Sequence, residues 1–61
     1  MTDRDVIQAA YEDQLAQLFE HFFANTVEAE GQAAELAQAE RAFQAGVRRA
    51  REVRDRALAL L

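Results

Sequence analysis

The stretch Val27-Glu28-Ala29-Glu30-Gly31-Gln32 lies at the middle of a 61-residue chain, and its reading decides the fold. The chain contains no proline and only two glycines, so nothing else in it breaks a helix outright. Gly31 is a natural C′ residue, able to end a helix in the left-handed conformation that side-chain-bearing residues avoid. The four residues before it place no large apolar side chain on the stripe described below. A turn within 29–32 therefore divides the chain into halves of equal length, helix 1 over about 3–29 and helix 2 over about 33–60. The competing turn is Asn25-Thr26, where Asn25 would cap the second helix with Glu28 as its capping-box partner, leaving Gly31 inside that helix.

Outward from the turn, the first half carries Ile7, Tyr11, Leu15, Leu18 and Phe22 at spacings of four, four, three and four. This is a helical stripe and not the alternation of a strand. At about 100° per residue the five fall within an arc of roughly 80°. Phe19 and Phe23 widen the stripe on one flank, giving more apolar face than one neighbouring helix covers. Thr2 is a good N-cap, and Asp5 three positions later completes a capping-box-like start. Asp3 and Asp5 also suit the positive end of the helix dipole.

The second half is stricter. Leu36, Ala39, Phe43, Gly46, Ala50, Val53, Ala57 and Leu60 follow an unbroken three-four alternation, the a/d pattern of a coiled coil. Half of these positions are Ala or Gly, so the large residues of the first helix have small ones to pack upon. Gly46 inside a helix costs about 1 kcal/mol relative to Ala, which a close helix approach there offsets. The heptad phase also runs unbroken through Asn25, Ala29 and Gln32, so a single rod of about 90 Å is the competing arrangement. Its weak middle and Gly31 argue against it.

Charge argues the same way. Residues 1–40 hold nine acidic side chains and one Arg, a net of −8, whereas residues 41–61 hold six Arg and two acids, a net of +4. Folding at Gly31 sets residue i roughly opposite residue 62 − i. Arg49 then meets Asp13, Arg51 meets Glu12, and Arg41 meets Glu20. Each exposed pair contributes only about 0.2–1 kcal/mol, so charge selects topology more than it stabilises. An acidic turn end and an Arg-rich terminal end follow.

The fold expected is all-α: one antiparallel two-helix hairpin spanning 1–61, dimerising into a four-helix bundle so that the wide face is covered. Ordering 61 residues costs roughly 90 kcal/mol, which one small core only balances, so a chain this short needs a staple or a partner. With no cysteine there is neither a disulfide nor a thiolate metal site. No apolar run approaches 18 residues, and Met1-Thr2-Asp3-Arg4-Asp5 lacks the features of a signal peptide, so a cytoplasmic protein is expected. All seven basic residues are Arg, a bias that points to a GC-rich bacterial genome.

No residues assemble into catalytic chemistry. The chain has no Ser or Cys, its Thr residues stand only at 2 and 26, and it has no glycine-rich phosphate loop. His21 borders the stripe, but Leu18 occupies the position where a di-metal bundle carries Glu, and the second half has no His. We expect no enzyme, no cofactor and no metal. The expected interface for a second copy, or for a larger protein partner, comprises Ile7, Tyr11, Leu15, Leu18, Phe19, Phe22, Phe23, Leu36, Phe43 and Val53. Nucleic acid is the alternative partner, through Arg48, Arg49, Arg51 and Arg54, although Glu52 and Asp55 interrupt that cluster. In architecture alone the chain resembles the plasmid repressor-of-primer family, small dimeric helical hairpins that bind RNA. No residue motif accompanies that likeness, so it transfers no site.

Overall fold

A computed structural model covers residues 1–61 and contains two helices, α1 (Asp3–Glu28) and α2 (Ala33–Ala59), packed on each other as a hairpin with no strand. The N-terminus of α1 forms by the expected chemistry. Thr2 Oγ1 accepts from the Asp5 N–H at 3.2 Å, and the Asp5 carboxylate accepts from the Thr2 N–H at 3.0 Å. That reciprocal pair satisfies two of the donors a helix start leaves open.

The chain reverses at Gly31, whose φ of +80° lies in the left-handed region. The Ala29 N–H still donates to the Asn25 carbonyl at 2.9 Å, and the Gln32 N–H folds back onto the Ala29 carbonyl at 2.8 Å. Asn25 and Thr26 are helical, and the Thr26 hydroxyl donates to the Phe23 carbonyl rather than opening a turn. Gln32 occupies the N-cap of α2 without a side-chain hydrogen bond.

Three contacts fix the register. Leu18 lies against Gly46, Phe22 stacks on Phe43 with ring centroids 4.8 Å apart, and the Arg54 guanidinium sits 4.3 Å from the centre of the Tyr11 ring. Residue i thus meets residue 64 − i or 65 − i. A Cβ built on Gly46 would stand 2.6 Å from Leu18 Cδ2, so the missing side chain is what admits the leucine.

Two expectations are corrected. The a/d seam drawn through α2 holds at Ala39, Phe43, Gly46, Ala50 and Ala57, but Leu36, Val53 and Leu60 are exposed, and Val47, Arg54 and Leu58 are half-buried in their stead. At the terminal end the Arg54 guanidinium covers Tyr11, so a formally charged residue behaves as part of the seam. The interhelical ion pairs are absent as well. The only ion pair is Arg54–Asp55, at 3.0 Å between neighbours on α2. The register is two to three residues off the assumed facing. Asp13 and Glu20 each stand two residues from stripe members on both sides, about 200° round the helix, and point away from α2.

The hairpin is one layer thick. Its Cα envelope measures 46 × 18 × 6 Å. Only two residues are buried, Ala29 at 4 % exposure at the end of α1 and Ala39 at 5 % in the second turn of α2. No large side chain is fully enclosed.

Candidate interaction surfaces

Two antiparallel helices in one layer present two broad flanks, and the sequence stripes decide what each carries. On one flank, Ile7, Ala10 and Gln14 of α1 face Gly46, Arg49 and Val53 of α2 across an open groove of about 490 Å³. Small residues make its floor: Gly46, Ala50 and Ala57 leave space beside Leu18 and Tyr11. Toward the turn the same flank becomes more polar, with Gln17, His21, Asn25, Glu28, Glu35 and Gln38 along its edges.

The opposite flank carries the aromatic excess. Phe19 and Phe23, one helical turn apart, have ring centroids 6.3 Å from each other and are 57 % and 60 % exposed. They sit about 60–140° round α1 from Leu18 and Phe22, on the side away from Gln14 and His21. On α2 this flank holds Gln44, Val47, Arg48 and Arg51, which border one shallow depression with Glu52 and Asp55.

The expected interface residues therefore divide by position. Ile7, Tyr11, Leu15, Leu18, Phe22 and Phe43 are half-buried between the helices. Leu36, Phe19 and Phe23 are exposed, and Val53 is exposed on the groove flank. The four arginines do not form one surface: Arg48 and Arg51 lie on the aromatic flank, Arg49 lines the groove, and Arg54 covers Tyr11. Arg54 is the residue that polarity-based assignment misplaces. Its spacing from Val47, Ala50 and Ala57 at seven, four and three is the signal that places it on the seam.

No three His, Asp or Glu side chains converge as a metal site, and no helix is long and apolar enough to cross a membrane. The chain matches no protein family, and neither a curated protein nor a solved structure is similar enough to count as a match.

Proposed function

We propose that this chain is a small, non-enzymatic protein–protein interaction module that works as a homodimer, two hairpins closing into a four-helix bundle. One observation carries the proposal: the hairpin has a surface without an interior. A folded monomer of 6.9 kDa is expected to expose about 4,000 Å². This hairpin exposes 4972 Å². The excess is on the order of 1,000 Å², close to the roughly 800 Å² that each partner contributes to a stable interface.

A second layer supplies what one layer lacks, because a helix with one apolar stripe must bury it against another element. Phe22 and Phe43, stacked between the helices, hold together the layer that the second hairpin packs against. Sedimentation of the wild-type chain is expected to give a dimer, and Phe22→Asp an unfolded or monomeric chain. A Phe22→Asp protein that remained a stable, helical dimer would overturn the proposal.

A further inference from the structure

We propose that the second copy docks on the Phe19–Phe23 flank, not in the groove, with the two hairpins running end over end about a two-fold axis between these aromatics. This rests on the homodimer proposed above and adds to it the face and the direction. Phe19 and Phe23, 57 % and 60 % exposed and one helical turn apart, form a contiguous aromatic patch, and a two-fold through it sets Phe19 against the partner's Phe23 and the reverse. The groove flank opposite carries Glu28 and Glu35 with Gln17, Asn25 and Gln38 in its turn half, carboxylates and amides that are costly to take out of water without partners.

Charge fixes the direction. The turn half of the hairpin, residues 16–45, has five acids and one Arg, a net of −4, and the terminal half is neutral. Turn beside turn would bring two such acidic ends together. End over end separates them. The observed register places the level of Phe19 and Phe23 opposite residues 43 and 44 of α2. Rotation about that level sets Gln44 beside the partner's Gln44, and Arg48 within a residue's rise of the partner's Glu40. Within one chain Glu40 and Arg48 are eight residues apart, about 12 Å along the helix, and do not meet. The axis stands about four residues, roughly 6 Å, from the middle of the 46 Å long dimension, so most of the broad face is covered.

The chain has no cysteine, which makes single-cysteine cross-linking clean. Gln44→Cys is exposed and is expected to form an intermolecular disulfide under mild oxidation, giving a dimer band on a non-reducing gel. Gln17→Cys and Gln38→Cys, on the groove flank, are expected to remain largely uncross-linked. In sedimentation, Arg48→Glu should weaken self-association roughly tenfold, and adding Glu40→Arg to the same chain should restore it to within about threefold. Should the wild type sediment as a dimer while Gln44→Cys stays uncross-linked, or while a groove-flank cysteine cross-links instead, the docking face is wrong and the homodimer stands. A wild type that is monomeric at every concentration overturns both.

Discussion

At the scale of single residues, the two glycines perform opposite tasks. Gly31 has nothing within 4 Å of where a side chain would start, yet its φ is +80°. Its role is conformational alone. Gly31→Ala is expected to lower stability by about 1–2 kcal/mol through the left-handed backbone penalty, and Gly31→Asn by less, in chemical denaturation. Gly46 has ordinary helical backbone, and its role is steric, since the space beside it belongs to Leu18. Gly46→Ala gains about 1 kcal/mol of helix propensity and forces only the flexible end of Leu18 to move. That variant should lie within about 1 kcal/mol of wild type. Gly46→Leu fills the contact outright and is expected to cost about 1–3 kcal/mol, read as a fall in melting temperature.

At the scale of elements, the two helices begin with unequal support. Thr2 caps α1 with both arms of a capping box, whereas Gln32 caps α2 with none. Gln32→Asp places a short acceptor over the open N–H groups of α2 and a charge at its positive end. We expect a gain of about 0.5–1 kcal/mol, visible as a higher denaturation midpoint with unchanged slope. Much of the element level was legible in the sequence. The three-four spacing of Ile7, Tyr11, Leu15, Leu18 and Phe22 gave one helical face, and Gly31 gave the reversal. The place of Arg54 on the seam was not legible, because hydropathy counts it as polar while its guanidinium covers Tyr11. The charge pairs misled for a related reason. Facing arithmetic along the chain ignores the direction in which each Cβ leaves its helix, and a shift of two or three residues turns a side chain to a different flank. The division into two flanks needs both helices in register, so the sequence could name Phe19, Phe23 and Val53 as partner-facing without showing that Val53 lies opposite the aromatics.

At the scale of the whole molecule, stability and assembly are one question. A layer whose Cα atoms span only 6 Å in depth has no inside, and none of its large side chains is fully enclosed. If a second hairpin completes the core, folding and association occur together, and no folded monomer persists on dilution. Melting temperature then depends on protein concentration. A hundredfold dilution removes about 2.7 kcal/mol from a two-chain equilibrium at room temperature. Unfolding two chains of 61 residues carries an entropy of roughly 0.26 kcal/mol/K, at about 2.1 cal/mol/K per residue. The expected fall is therefore roughly 10 °C per hundredfold dilution, followed by far-ultraviolet circular dichroism across the micromolar range. A self-sufficient hairpin would melt at one temperature throughout, since its folding involves no second molecule. Phe22→Asp tests the same coupling from within. The substitution removes the Phe43 stack and sets a charge between the two helices, a loss on the order of 3 kcal/mol or more per chain. Because each dimer carries the change twice, the variant is expected to lose helical signal and dimeric mass together, at concentrations where the wild type retains both.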